Sequence, residues 1–209
     1  MGRHDPTLKL PDSQFALVRG LYATTPVATA FGLRPASSLA PGDLVMTRDD
    51  GLRPIRSVRH EQRQALWSVR LPQGAFGTGD MVMLPPGQPV LIQTRYAMPF
   101  SGDDLALLPA TSLEGWRGIA PHVPASTEMI LHLCLDRPGL LFLAPGLWTH
   151  CDGSDAAGFD LRRLLGVLSR PTLPLAAARH LVAHLIADEA SAELTACQAT
   201  ARWPPPNLA

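Results

Sequence analysis

Residues 39–56 read LAPGDLVMTRDDGLRPIR, and this stretch decides the fold class. Pro41, Gly42 and Asp43 make a turn signal, Leu44 to Thr47 a short apolar strand, Asp49-Asp50-Gly51 a hairpin loop, and Pro54 to Arg59 the return strand. Pro54 has no amide proton to give to a ladder, so the return strand is expected at an edge or to begin with a bulge. Elements of five to ten residues, each closed by Gly or Pro, are the pattern of short strands joined by turns.

Outward from this hairpin the same punctuation runs from Pro26 to Gly153, where most of the 21 prolines and 17 glycines fall. Further strands are expected at Ala65 to Leu71, Met81 to Leu84, Val90 to Thr94, Ala106 to Pro109, Met129 to Leu135 and Leu140 to Ala144, the last two joined by the turn DRPG at 136–139. His150 and Cys151 are adjacent rather than alternating and read as loop. Beyond Asp155 the spacing becomes helical. Phe159, Leu161, Leu164, Leu165 and Leu168 make one helix, and a second begins near Pro174 and runs through Leu175, Ala178, Leu181, Val182, Leu185 and Ile186. The reading is a mostly β fold with two C-terminal helices. It divides into an N-terminal extension (1–19), a β domain (20–153), helices packed on it (154–200) and a Pro-rich tail (201–209).

With 209 residues, 46% hydrophobic and 17% charged, the chain can close a real core. Eighteen basic residues balance eighteen acidic ones without long runs, which argues against nucleic acid or an anionic membrane as partner. No apolar stretch approaches the roughly 20 residues of a membrane helix, and MGRHDPTLKLPDSQ lacks the apolar run of a signal peptide, so a cytoplasmic location is expected. Cys134, Cys151 and Cys197 are odd in number and widely spaced, which speaks against a disulfide framework.

Several motifs carry less chemistry than they first offer. The loop Gly74-Ala-Phe-Gly77-Thr-Gly79 lacks the Lys-Ser/Thr of a phosphate loop, so no nucleotide cofactor is expected. His180 and His184 share a helix face but leave a coordination shell half empty, so no metal is expected. His132 and Cys134 alternate on one strand and so point to the same side; an imidazolium there would lower the thiol pKa and make a nucleophile. Their strand is among the most apolar of the chain, so burial as core residues is the competing reading.

LAPGDLV at 39–45 followed by DGLRPIR at 50–56 resembles the early strands of a Hint domain, the fold shared by hedgehog autoprocessing domains and inteins, and is most similar to the stand-alone bacterial Hint proteins. MVMLPPGQPVLI (81–92), LHLCLDRPGLLFLAP (131–145) and RPTL (170–173) follow in the family's order. The resemblance implies acyl transfer: a first-position Cys or Ser attacks the carbonyl before it, while a central His polarises that peptide and protonates its departing nitrogen.

Aligning Ala28-Thr29 and Gly32 with the family's first strand and turn puts the nucleophile position at Gly20, which has no side chain to attack with. The Ser/Thr and His of the middle motif fall on Pro85 and Gln88, and Gln moves no proton at neutral pH. His132 fits a family position in a later strand. The His-Asn pair that ends a splicing intein has no counterpart in the terminal PPPNLA. The expectation is therefore a pseudoenzyme, inactive for self-cleavage or splicing and retained to bind a protein or peptide. The alternative is an active autoproteolytic domain using Cys134 with His132, or Thr24 or Thr25 as nucleophile, although Thr25 precedes Pro26 and neither threonine has a basic neighbour in sequence.

Overall fold

The computed structural model describes residues 18–63, 67–123, 128–153 and 170–201. The helix expected over Phe159 to Leu168, most of the N-terminal extension and nearly all of the tail lie outside these residues. Within them the chain is mostly β, with an eleven-stranded sheet and a three-stranded one. The first strand of the 39–56 hairpin forms as read, but the return strand starts earlier: β4 (Leu44–Thr47) pairs antiparallel with β5 (Gly51–Pro54), Met46 opposite Leu52. Gly51 takes φ +66° and Thr47 Oγ1 donates to its carbonyl at 2.8 Å, which closes the turn.

The return strand does not run unbroken from Pro54 to Arg59. Past Pro54, Ile55 still donates to the Asp43 carbonyl at 2.9 Å and accepts from the Gly42 amide at 2.8 Å, and the Arg56 amide then donates to the Cys134 carbonyl at 2.8 Å. From there β6 (Ser57–Arg63) leaves to pair along β12 (Glu128–Leu135), Ser57 opposite Cys134 and Arg63 opposite Glu128. Arg53, buried beneath this crossing, donates to the Asp136 carboxylate and at 2.9 Å to the Arg137 carbonyl, which ties the hairpin to the DRPG turn.

Three early strands complete that side: β1 (Leu21–Tyr22) pairs with β12, and β2 (Pro26–Thr29) pairs with both β3 (Gly32–Pro35) and β4. The three-stranded sheet is β7 (Ser68–Leu71), β8 (Val82–Leu84) and β11 (Ala120–His122), and the Gly74–Gly79 loop is the crossing between β7 and β8. β9 (Pro89–Gln93) pairs with β10 (Leu105–Pro109), on either side of a short helix, α1 (Met98–Ser101).

His150 and Cys151 lie in a strand, not a loop. β14 (Leu147–Gly153) pairs antiparallel with β13 (Gly139–Ala144) and parallel with β12, Cys134 opposite Asp152. Leu147, Thr149 and Cys151 point into the core, while Trp148, His150 and Asp152 take the other face. Adjacency on a strand separates two side chains without ending the strand.

The helix α2 (Leu175–Ala201) follows Pro174 as expected and continues well past Ile186, because no breaker interrupts residues 187–201. Ala178, Leu181 and Val182 are buried against the β core, so the core covers the stripe, while Ile186 stays exposed at its margin. Glu189 accepts from Trp116 Nε1 at 2.9 Å and pairs with Arg117 at 2.7 Å. No described helix is long and apolar enough to cross a membrane.

Candidate active site

The pairing of Leu21 with Leu131 and Tyr22 with Ile130 carries one step further to bring Gly20 opposite His132. Gly20 has φ +115°, a conformation that side-chain-bearing residues rarely adopt. A Cβ there would stand 2.5 Å from Ile130 Cγ2, 2.9 Å from the Leu131 carbonyl oxygen and 3.5 Å from His132 Cε1. The backbone has settled into room that only glycine can use.

Gln88 faces Gly20 from a turn in which its amide donates to the Pro85 carbonyl. Gln88 is 2% exposed, and its side chain makes three hydrogen bonds, with both N–H groups used. Oε1 accepts from the Gly20 amide at 2.7 Å, and Nε2 donates to Thr149 Oγ1 and to the His150 carbonyl, each at 2.7 Å. Thr149 Oγ1 donates onward to the Pro89 carbonyl at 2.7 Å. Gln88 thereby joins the strand entrance at Gly20 to β9 and β14.

Gly20, Gln88, His132, His150, Cys151 and Asp152 line one cavity of about 20 Å³. That is room for about one water molecule. His132 Nε2 lies 2.8 Å from Glu61 Oε2. The His132 bond, then the Arg63 bond, hold the Glu61 carboxyl below the ordinary carboxylate range. On the other wall His150 Nδ1 is 3.7 Å from Asp152 Oδ1. Burial keeps His150 below the ordinary histidine range, with Asp152 opposing and Arg19 reinforcing that shift. Two imidazoles therefore remain beside the cavity, but no nucleophile stands between them.

Cys134 does not line this cavity; it is half-buried opposite Ser57, and His132 is engaged with Glu61. Cys151 does reach the cavity wall, yet it is buried, its Sγ donates to the Leu133 carbonyl at 3.1 Å, and burial pushes its thiol far above the usual range. Thr25 is buried in the turn before β2, with Oγ1 3.4 Å from the Met83 carbonyl. Thr24 is exposed and lines a separate groove of about 330 Å³ with Tyr22, Ser68, Arg70, Met83 and Glu128. His180 and His184 meet edge to face at 4.8 Å, and His184 stacks on Tyr96 at 5.0 Å, away from the cavity. Among the described residues no three His, Cys, Asp or Glu side chains converge as metal ligands.

The fold thus gathers Gly20, Gln88 and His132, the three positions singled out in sequence, and leaves Cys134, Thr24 and Thr25 outside. It adds Glu61, Thr149, His150 and Cys151. The alternation LWTHCDG at 147–153 was the signal for the last three. Glu61 had none, since its approach to His132 depends on the register of β6 with β12.

A family model described as "Hint domain" matches residues 20–151. Among solved structures, a glutathione-linked, splice-inactive variant of the AceL NrdHF class 3 split intein is similar at 13% identity and a TM-score of 0.44, covering 66% of this chain and 99% of that one. A bacterial intein-like domain from Clostridium thermocellum is similar at 12% identity and a TM-score of 0.42, covering 63% and 99%. The gp41-1 intein is similar at 17% identity and a TM-score of 0.39, covering 64% and 98%. No curated protein matches the chain.

Proposed function

The chain belongs to the Hint domain family, and from that premise we propose that it is a member inactive for self-cleavage and splicing, kept as a protein- or peptide-binding module. The observation that carries this reading is the bond from the Gly20 amide to Gln88 Oε1. The position of the family's nucleophile holds no reactive atom, and the position of its central histidine holds an amide that works as a crosslink. Neither can donate the electron pair or the proton that acyl transfer needs.

A cavity of about 20 Å³ does not admit a peptide, so binding belongs elsewhere. The groove beside Tyr22, at about 330 Å³, falls within the size range of ligand pockets and combines Met83 and Tyr22 with Arg70 and Glu128. The alternative of an active domain has less support, because neither Cys134 nor either threonine shares a cavity with His132.

The test is the intact mass of the purified protein over days, with and without dithiothreitol. It is expected to stay at 22.5 kDa. Thiol-dependent loss of an N-terminal fragment ending before Gly20 would overturn the inactive reading. Met81 also lines the groove and is exposed; retention of peptides on an array, lost in Met81→Glu, tests the binding role, and an array that retains none would remove it.

A further inference from the structure

The groove beside Tyr22 lies on the outer face of the three-stranded sheet. Val69, Leu71, Val82 and Leu84 are buried in the core, so strand alternation turns Ser68, Arg70 and Met83 to the other side. The register sets Ser68 opposite His122 and Arg70 opposite Met83, which brings these four side chains together on that face. Tyr22 of β1, Glu128 of β12 and Met81 join them in lining the groove.

Most free polar groups of this lining are donors. Tyr22 Oη and Ser68 Oγ lie 2.8 Å apart, and the two residues are 4% and 1% exposed. Two hydroxyl protons meet in one bond, so one is left to donate, and neither hydroxyl has a further partner among the described residues. A buried hydroxyl proton without an acceptor is costly. The side chains of Arg70 and His122, both exposed, likewise have no hydrogen-bond or ion-pair partner among the described residues. Met81, 55% exposed, and the half-buried Met83 add an apolar shelf. Glu128 is the one carboxylate of the lining.

We propose that this groove takes an acidic stretch of a peptide, with one carboxylate side chain on Arg70 and the Tyr22–Ser68 hydroxyls and a neighbouring apolar side chain on Met81 and Met83. The inference rests on the groove being the binding site and names what that site selects. A carboxylate brings acceptors only, so it satisfies the spare hydroxyl proton and the guanidinium together, and arginine holds it through paired N–H bonds. A side-chain amide would set donors of its own against the same donors. Methionines adapt to apolar side chains of differing shape. Glu128 accepts the backbone N–H groups that a peptide brings and a simple free acid lacks.

The experiment is an array of peptides in which every Glu, flanked by Leu, Met or Phe, has a Gln twin, probed with the full chain. The Glu member of each retained pair is expected to hold about tenfold more protein, the gain of one hydrogen bond to a charged group. Arg70→Gln, at an exposed site, should remove that difference at an unchanged melting temperature, and Ser68→Ala should reduce it. Arg56→Gln, beside Cys134 at the other end of β12, takes away the same charge and should leave the difference intact. Equal retention of Glu and Gln twins, or a preference that survives Arg70→Gln, would overturn the proposal while leaving the groove a peptide site. So would displacement by N-acetylglutamate as effective as that by the unlabelled Glu peptide, which would assign the groove to a small acid. An array on which no peptide is held removes the proposal together with the reading beneath it.

Discussion

The Gly20 amide donates to the side chain of Gln88, 68 residues away in sequence, at 2.7 Å. This bond joins the start of the Hint fold to the strand that carries His150, through a residue with no acid–base chemistry at neutral pH. Where relatives are expected to place a nucleophile and a proton donor, this chain has a backbone donor and a structural amide.

Gln88→Leu keeps the volume and removes three hydrogen bonds. The Gly20 amide then loses its acceptor and the His150 carbonyl one of its donors. Stability should fall by about 1–3 kcal/mol, the range expected when a buried polar group loses its partner. Urea unfolding with an unchanged m-value checks this, and a loss under 0.5 kcal/mol would show that the crosslink contributes little.

Restoring family residues should not restore chemistry. In Gly20→Cys the new Cβ meets Ile130 Cγ2 and the Leu131 carbonyl, and φ +115° strains any side chain. The Gly20→Cys, Gln88→His double variant should melt below wild type and keep its full mass in dithiothreitol. Release of an N-terminal fragment by this variant would show that the backbone relaxes into a competent geometry.

His150 should make stability fall on mild acidification. Its folded-state pKa is depressed, so between that value and the ordinary value near 6.5 the unfolded chain binds more protons than the folded one. Stability from this group is complete above about pH 6.5 and declines as pH falls through the folded value. His150→Gln keeps the carbonyl that Gln88 uses and should flatten this part of the profile. An identical slope in wild type and variant would assign the effect to another group.

The two cysteines of the adjoining strands should separate by reactivity in a Cys197→Ser background. Cys134 is half-buried, whereas Cys151 is buried with its thiol pushed far above the usual range. A neutral maleimide should label Cys134 in the native state and Cys151 only in denaturant. Mass mapping of the labelled peptides decides it, and equal native labelling would contradict the buried placement of Cys151.

Much of the fold was legible along the chain because strand alternation and turn residues are local. Leu44 to Thr47 forms as read, and Pro174 starts the helix where its fixed φ favours a first turn. The errors share one cause. The return strand breaks at Ile55 because a ladder elsewhere offers a better partner, and His150-Cys151 becomes strand because three neighbouring strands pair with it. Partners distant in sequence leave no periodic trace.

The sequence by itself determined the family and, at Gly20 and Gln88, which atoms are present for chemistry. Tertiary structure alone decided what those residues became. Whether Gln88 is an idle substitution or a crosslink depends on the registers of β1, β9 and β14, which bring three remote polar groups within hydrogen-bond distance of one amide. The same holds for β3, β2, β4 and β5: each strand is too short to announce its neighbours, and only their register sets Leu33, Ala28, Met46 and Leu52 side by side.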